Sequence, residues 1–522
     1  MSPLKGWIIY EENKAKVIRD IRDGRMDYVD LSSWGFLDRF FAFLMAAKFF
    51  EFCASSYPSP RVKVEIPPWF LLASAIQMKL HSENAYLKLK AILRSGSILG
   101  LLGFNIGLKD GGFNYKNRNQ RLTPIDQDTA RKYFRDSNPD KLQRWFNVDI
   151  ARWLKGQRAF DRSGIFILDR SLIPLPDNPN YEKASYLPID DDGNYIDLTK
   201  LSADERKKLK PKPCYSLTSL LHAGGDEDYF IYAAAHVGPG SESGLIEGEK
   251  LIDGFMDNLG RGIIKLLIMD KGFIDGPMIK RFKKDYGIDV IVPLRSNMDA
   301  NLDAIGLTLL PDVMWQTYRK LTDRAGNITY REEIAIIGDV RSWDECKLPL
   351  CVGLMRCIDV AEGSEYIWAL ASTKKYDDPS KLFDLYHRRT QIEERHRQLK
   401  GYWLLGAFKS RAFSLVTTHI IFVLLTYSLL ELYLKKKGLE RLARRTIESM
   451  RAEEALGKNA SIVYSGGYFG IFDIDEYTDI IINLKEDARR RLSRWIKEFR
   501  RQKMRSPPTF KNQICNGNIN SN

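Results

Sequence analysis

The sequence lacks the cysteine patterns of metal fingers and disulfide-stapled folds. It has only six cysteines in 522 residues, with no Cys-x-x-Cys pair and no histidine following at finger spacing. A structural zinc site or a disulfide framework is therefore not indicated, and buried free thiols in a reducing compartment are the better interpretation. The opening segment MSPLKGWIIYEENK also lacks an apolar stretch of signal-peptide length. We therefore expect a cytoplasmic protein.

Long uncharged hydrophobic runs are almost missing as well. Residues 34–52 are rich in Phe and Ala but contain four charged residues. Residues 412–430 contain no Asp, Glu, Lys or Arg, and their length is close to that of a membrane span. Three threonines, serines and a histidine dilute this run, so we predict a buried core helix and no membrane association. A true membrane span is the alternative.

The formal net charge of +13 points to a polyanionic partner. A hydrophobic content of 44% excludes a disordered chain. Residues 489–505 carry nine Lys and Arg and one Glu, and residues 381–411 carry eight Lys and Arg and three Asp and Glu. These two segments contribute +8 and +5, which together equal the whole net charge. The positive charge is therefore concentrated in two places, although a solvated tail helix would also explain the first.

Two aspartates follow short apolar runs of strand length. Asp169 comes directly after residues 164–168 (GIFIL), and Asp270 after residues 263–269 (IIKLLIM). Strands and helices alternate around them, which favours an α/β core with its reactive groups at the carboxyl ends of strands. Two acids placed side by side there need a cation, and hard oxygen ligands favour Mg²⁺ or Mn²⁺. The plainer alternative is that each Asp ends a strand or caps a helix.

A predicted helix near residue 390 presents a third carboxylate. Tyr386, Arg389, Glu393 and Lys400 fall within an arc of about 60° when each residue turns the helix by about 100°. Glu394 lies outside this arc, so Glu393 is the better metal ligand. A phenol, a guanidinium and an ammonium along the same face suit a phosphate backbone passing a metal site. A solvated, salt-bridged helix face is the alternative.

The same four residues carry a family resemblance. Tyr386-x2-Arg389-x3-Glu393-x6-Lys400 resembles the Tyr-Arg-Glu-Lys signature of insertion-sequence DDE transposases of the cut-and-paste bacterial and archaeal type. We expect this spacing by chance on the order of 0.01 times in such a chain.

Other segments resemble further motifs of that family. Asp169, with Ser171 two positions on, resembles the first Asp motif, and Asp270 followed by Lys271 resembles the second. Arg295 ends the next strand, where the family commonly has a basic residue. The resemblance implies that Asp169, Asp270 and Glu393 are catalytic and hold two Mg²⁺ or Mn²⁺ ions roughly 3.5–4 Å apart.

The resemblance also implies partners and an activity. It implies that Tyr386, Arg389 and Lys400 grip DNA phosphates, and that Lys271, Arg295 and Trp368 contact DNA. Trp368 would stack on a flipped base, although it would also fit as an ordinary core aromatic. The implied activity is cleavage at the inverted-repeat ends of an insertion sequence and joining of their 3′-hydroxyls to target DNA. A homodimer in the DNA complex and a cytoplasmic, nucleoid-associated prokaryotic protein are expected.

The expected fold class is α/β. The resemblance implies an RNase H-like mixed sheet of five strands flanked by helices, and the sequence pattern adds a β-rich insertion, a helical N-terminal domain and a helical C-terminal region. The predicted domains are a helical region 1–150, core 160–299, insertion 300–373, second core part 374–435, basic helical region 436–505 and disordered tail 506–522. DNA binding and a purely structural role are the two alternatives for region 1–150.

Two other functions fit part of the sequence. A domesticated or inactive transposase would hold DNA without cutting it, but every signature position is intact. Another RNase H-like nuclease, such as a junction resolvase, is the second alternative. The β insertion and the Lys of the signature argue against it.

Overall fold

The computed structural model describes most of the chain between residues 10 and 504. The gaps within that range are residues 33, 63–65, 94–96, 104–124, 226–228, 312, 324–327, 361, 440–441 and 443–458. The predicted disordered tail 506–522 lies outside the described residues. Two compact units result, one from the segments up to Leu142 and from Tyr402 onward, the other from Gln143–Gly401.

The strands divide between two sheets. They are β1 (Glu11–Glu12), β2 (Tyr28–Ser32), β3 (Ile165–Pro174), β4 (Ser185–Leu187), β5 (Lys212–Ala223), β6 (Phe230–Pro239), β7 (Leu266–Met269), β8 (Asp289–Pro293), β9 (Gln316–Thr322), β10 (Ile328–Val340), β11 (Leu350–Asp359), β12 (Ser364–Ser372), β13 (Ala460–Ser465) and β14 (Tyr468–Asp473).

Helices occupy both units. They are α1 (Lys14–Arg22), α2 (Gly35–Ala46), α3 (Phe49–Ser56), α4 (Pro68–Leu80), α5 (Leu89–Ile92), α6 (Ile98–Leu101), α7 (Gln127–Arg135), α8 (Pro139–Arg144), α9 (Ala151–Gly156), α10 (Ala203–Lys208), α11 (Gly244–Leu259), α12 (Gly276–Arg281), α13 (Asp299–Leu307), α14 (Pro379–Gly401), α15 (Phe413–Lys437), α16 (Ile474–Ile482) and α17 (Glu486–Met504).

The sheet of the Gln143–Gly401 unit has the predicted mixed core. Its central strands lie in the order β6, β5, β3, β7, β8. Strand β5 pairs antiparallel with both β6 and β3, and β3, β7 and β8 run parallel. Strand β7 is buried at every residue because it lies in the middle of a parallel region covered on both faces. The RNase H-like α/β prediction is confirmed.

The β-rich insertion extends this sheet instead of forming a separate one. Strand β12 pairs antiparallel with β8, with Leu370 opposite Pro293, and β11, β10 and β9 follow in order. The described residues therefore form a ten-stranded sheet, where the sequence analysis expected five core strands. The open edge of β8 gives the insertion a row of backbone hydrogen-bond partners, which explains the continuous sheet.

The other unit contains the terminal segments, and its helices confirm the predicted helical character. The prediction was incomplete, however, because a four-stranded sheet in the order β1, β14, β13, β2 joins residues from both terminal segments. The short strand β2 pairs with β13, which lies close to the other end of the chain, and local sequence patterns do not reveal such a pairing.

Helix α15 contains the uncharged run at 412–430. It is the one helix in the described part of the chain that is long and apolar enough to span a membrane, and 94% of its most apolar window is buried inside the protein. Its buried residues cover every side of the helix from Leu415 to Leu434. This burial is the arrangement expected of a core helix.

Asp38 on α2 is a buried carboxyl that makes stability depend on pH. It is fully buried, and burial raises the pKa of its carboxyl to about 7, although the backbone N–H of Ser97 donates to its Oδ1 at 2.8 Å. A raised pKa means that the folded state binds more protons than the unfolded state between about pH 4 and pH 7. Stability should therefore fall as pH rises through that window.

We expect Asp38→Asn to remove this loss. The substitution should raise the free energy of unfolding at pH 8 by about 1–4 kcal/mol and have a much smaller effect at pH 4. Denaturant titrations from pH 4 to pH 8 would measure the difference. Asp140→Asn, at an exposed position of α8, is the matched control and should leave the pH profile unchanged. Equal profiles for wild type and Asp38→Asn would contradict the prediction.

Candidate active site

Strand register brings the two aspartates together. Leu168 on β3 pairs with Met269 on β7 in the last step of their parallel ladder, and Asp169 and Asp270 are the next residues on the two strands. Strand β7 ends there, and the Asp270 side chain accepts a hydrogen bond from the backbone of Lys271 at 2.6 Å. Strand β3 continues past Asp169, because it pairs with β5 as far as Pro174. The prediction that Asp169 comes just after the end of its strand was therefore wrong, although the two acids are neighbours.

Helix α14 adds the third acid and a cation. A guanidinium nitrogen of Arg389 lies 3.4 Å from Asp169 Oδ1 and 3.6 Å from Asp270 Oδ2, and the other lies 3.4 Å from Glu393 Oε1. The three carboxylates come from two strands and one helix, and they meet around one guanidinium. We name Asp169, Asp270, Glu393 and Arg389 the acidic cluster.

Exposure differs strongly across the acidic cluster. The side chain of Asp169 is 10% exposed, that of Asp270 is 35% exposed and that of Glu393 is 65% exposed. Burial opposes the charged form of Arg389, but Asp169 and Asp270 outweigh it and raise the pKa of the guanidinium. The cluster is a half-open site with a buried inner acid, and Arg389 remains charged at every physiological pH.

The acidic cluster can be compared with the needs of a divalent ion. Three carboxylates that converge on one positive group provide the hard oxygen ligands that Mg²⁺ and Mn²⁺ prefer. In the described part of the chain, no group of three or more His, Cys, Asp or Glu side chains is spaced closely enough to hold a metal ion. The acids are spaced around a guanidinium, which is larger than a metal ion. The donor chemistry fits, and Arg389 lies at the position that a cation would take.

His396 is a neighbour of the acidic cluster to which the sequence pattern assigned no chemistry, because it lies outside the arc. Its Nδ1 lies 3.3 Å from Asp169 Oδ2, and burial lowers the pKa of its imidazole despite the nearby carboxylate. His396 falls at about −80° from Tyr386 around the helix, only about 20° beyond Arg389. A slightly wider arc would have included it.

Tyr386 and Lys400 lie on the same helix, and both side chains are largely withdrawn from solvent. Tyr386 is 8% exposed, and burial raises the pKa of its phenol. Lys400 Nζ donates to the backbone carbonyl of Asp192 at 2.7 Å, and burial lowers the pKa of its ammonium. The phosphate contacts expected of both side chains stay predictions.

The three remaining predicted DNA contacts lie on other elements of this unit. Trp368 on β12 is half-buried, with its ring centroid 6.0 Å from that of Tyr386 and 5.4 Å from that of Phe383. Lys271 is exposed two residues after β7, and Arg295 is exposed two residues after β8. The prediction that Arg295 ends its strand was therefore wrong, since β8 ends at Pro293. Their roles in DNA binding stay predictions. Glu394, which the sequence analysis set aside, forms an ion pair with Arg397 at 2.7 Å.

A family comparison matches the part of the chain that carries this geometry. The family model described as "Transposase DDE domain" matches residues 161–429, which is just over half of the chain and contains every member of the acidic cluster. No curated protein matches the chain.

Proposed function

This chain belongs to the family of transposases with a DDE domain, and on that premise we propose that it moves an insertion sequence. Enzymes of this family cleave DNA and transfer strands with the help of divalent metal ions. The proposed substrates are the terminal inverted repeats of the element, and the proposed products are 3′-hydroxyl ends joined to target DNA. The proposed subtype is the one with the Tyr-Arg-Glu-Lys signature.

The observation that carries the proposal is the convergence of three carboxylates from separate elements on one cation position. Asp169, Asp270 and Glu393 would hold the divalent ions, with two Mg²⁺ or Mn²⁺ ions expected. Bound there, the ions would activate the attacking oxygen and stabilise the leaving oxygen of a phosphodiester. Strand β3 and helix α14 hold two of these acids on rigid elements, which favours a fixed geometry for in-line attack.

Positive side chains within and beside the acidic cluster would position the DNA. Lys271 follows Asp270 directly and is exposed, so it would contact a phosphate bound at the acidic cluster. Arg389 would leave the carboxylates and bind a phosphate through its planar donor pair once metal ions neutralise the acids. Lys400 would do the same after releasing the carbonyl of Asp192. In both cases the side chain would give up a partner within the protein and bind a DNA phosphate instead.

Two ends must be brought together for transposition, so a homodimer in the DNA complex belongs to the proposal. The protein would act on the nucleoid of a prokaryotic cell.

An end-cleavage assay tests the proposed function. Flanking genomic DNA is searched for matched inverted repeats, and labelled duplexes carrying them are incubated with protein and Mg²⁺. We expect nicks at the repeat boundary that leave 3′-hydroxyls, with none in EDTA or on a scrambled repeat. Specific binding without cleavage under any divalent ion would favour a transposase-derived DNA-binding protein instead.

Helix α17 provides a second test of DNA binding. The apolar side of this helix and the segment before it pack into a core through Leu484, Ala488, Leu492 and Trp495, so its basic side chains face outward. The exposed cations on described side chains are Arg489, Arg490, Arg491, Arg494 and Lys497. Deleting the helix would remove core residues, and substitution is the cleaner experiment.

We expect replacement of these five cations by Gln to flatten the salt dependence of DNA binding. Each lost phosphate contact should reduce the slope of log K against log salt by about 0.9, so a total reduction of about 1–4 is expected. Filter binding or fluorescence anisotropy between low and physiological salt measures this slope. The matched control replaces Arg206, Lys207 and Lys208, which are exposed on α10. An unchanged slope would mean that the basic side of α17 is only solvated.

A further inference from the structure

A cavity lies within the unit that contains the terminal segments. It has a volume of about 330 Å³ and is lined by residues of α4, α7, α15 and the segments next to them. This volume falls at the lower end of the roughly 300–1,000 Å³ typical of small-molecule sites. None of the residues proposed for DNA cleavage line it.

A buried lysine forms part of the cavity wall. Lys79 on α4 is 6% exposed, and its Nζ donates to Asn84 Oδ1 at 3.0 Å and lies 2.7 Å from His419 Nδ1. His419 Nε2 lies 3.0 Å from the carbonyl of Leu404, so Nε2 carries the proton and Nδ1 accepts from Lys79. Asn84 donates to the carbonyl of Ala407, which directs its Oδ1 toward Lys79. Two neutral side chains therefore hold Nζ among the described residues, and Lys79 is one of the residues that line the cavity.

The buried lysine forms no ion pair among the described residues, although the nearby carboxylate of Glu83 partly offsets the effect of burial on its pKa. No carboxylate in the described part of the chain lies within ion-pair distance of Lys79, and the nearby Glu83 pairs with Lys88 at 2.6 Å. Burial lowers the pKa of the Lys79 amine to about 7. A buried amine of this kind destabilises the fold, and such perturbed groups in a cavity are candidates for ligand binding.

The rest of the cavity combines aromatic walls with positive charge. Tyr86, Phe408 and Phe422 line it, and so do Arg131 and Lys409, which reach solvent. Among the described lining residues the single carboxylate is Asp128, which forms an ion pair with Arg131 at 3.4 Å. A flat ring with polar edge atoms would fit between the aromatic side chains, and an attached anion would lie at the exposed cations.

We propose that this cavity binds one deoxynucleotide unit, with the base between the aromatic walls and against Lys79 Nζ, and the phosphate at Arg131 and Lys409. The unit can be a free nucleotide or a nucleotide unstacked from a DNA end. Only the second source rests on the proposed transposase function. The chemistry of recognition is the same for both.

Equilibrium binding of dAMP and dTMP to the full-length protein tests the proposal. We expect saturable binding of both nucleotides by calorimetry, and at least about tenfold weaker binding of deoxyadenosine and of inorganic phosphate alone. Lys79→Met should weaken nucleotide binding at least about tenfold, and Lys88→Met, at the exposed end of the same region, should not change it.

A variant at exposed positions tests the proposal without changing a buried residue. Because Lys79→Met changes a buried residue, Arg131→Gln combined with Lys409→Gln tests the phosphate site at exposed positions. It should weaken binding of dAMP at least about tenfold and leave binding of deoxyadenosine unchanged. Equal binding of dAMP by wild type and this variant would overturn the proposed position of the phosphate.

A DNA probe separates the two sources. A duplex with 2-aminopurine at one end is titrated with Asp270→Asn protein, which is expected to bind DNA without cutting it. A rise in fluorescence that is lost when Lys79→Met is added to that background identifies a nucleotide unstacked from DNA. Binding of dAMP without such a rise identifies a free nucleotide, and no response to either probe overturns the proposal. Asp270→Asn should bind dAMP as wild type does, so failure of DNA cleavage would leave this result unaffected.

Discussion

Asp270→Asn is expected to lower Mg²⁺-dependent cleavage of DNA ends by roughly 10³-fold or more, with DNA affinity within about threefold of wild type. The substitution keeps the size of the side chain and an oxygen that can still accept the backbone hydrogen bond of Lys271. It removes one of the three negative charges that meet around Arg389. A metal ion bound by the remaining acids would lose a hard anionic ligand, and the transition state would lose the charge that the ion supplies.

Asp275→Asn is the matched control for this experiment. Asp275 lies shortly downstream and caps α12, where its Oδ1 accepts from the backbone of Met278 at 2.8 Å. Because Asn caps a helix about as well as Asp, this variant should keep wild-type cleavage. Undiminished cleavage by Asp270→Asn, measured on the same labelled ends by gel electrophoresis, would remove Asp270 from the chemistry.

Arg389→Gln is expected to have two opposite effects. Without DNA, the variant should bind Mn²⁺ at least about tenfold more tightly than wild type, because the guanidinium no longer neutralises the three carboxylates. With DNA, end cleavage should fall by roughly 10²-fold, because the guanidinium no longer binds a phosphate once metal ions replace it. Electron paramagnetic resonance of free Mn²⁺ measures the first effect, and the gel assay measures the second.

Arg388→Gln is the matched control for Arg389→Gln. Arg388 is the preceding residue on the same helix, and its guanidinium donates to the backbone carbonyls of Gly224 and Gly225. Its replacement should leave Mn²⁺ affinity unchanged, because these partners carry no negative charge. Mn²⁺ affinity in Arg389→Gln equal to that of wild type would show that Arg389 does not compete with metal ions for the acids.

The sequence predicted the meeting of Asp169 and Asp270 because parallel strands deliver their carboxyl ends to the same edge of a sheet. It could not predict that β3 continues beyond Asp169, since that depends on pairing with β5, a strand that begins only at Lys212. The helical face with Glu393 followed from the helical period alone. The same helical period places His396 just beyond this face, and the arc of about 60° was too narrow to include it.

The position of Arg389 could not be predicted from the sequence, for a different reason. The family resemblance assigned this residue to a DNA phosphate, and its guanidinium lies beside Asp169, Asp270 and Glu393. A signature records residue types and their spacing, and it does not say which opposite charges on one surface lie next to each other. The terminal sheet was missed for a related reason, because β2 and β13 pair although they come from opposite ends of the chain.

Anomalous diffraction from Mn²⁺ bound to the protein together with an inverted-repeat duplex would show where the metal ions bind. We expect anomalous peaks between the carboxylates of Asp169, Asp270 and Glu393, with the Arg389 guanidinium moved onto a DNA phosphate. Peaks elsewhere, or an Arg389 still enclosed by the three acids beside bound DNA, would contradict this expectation.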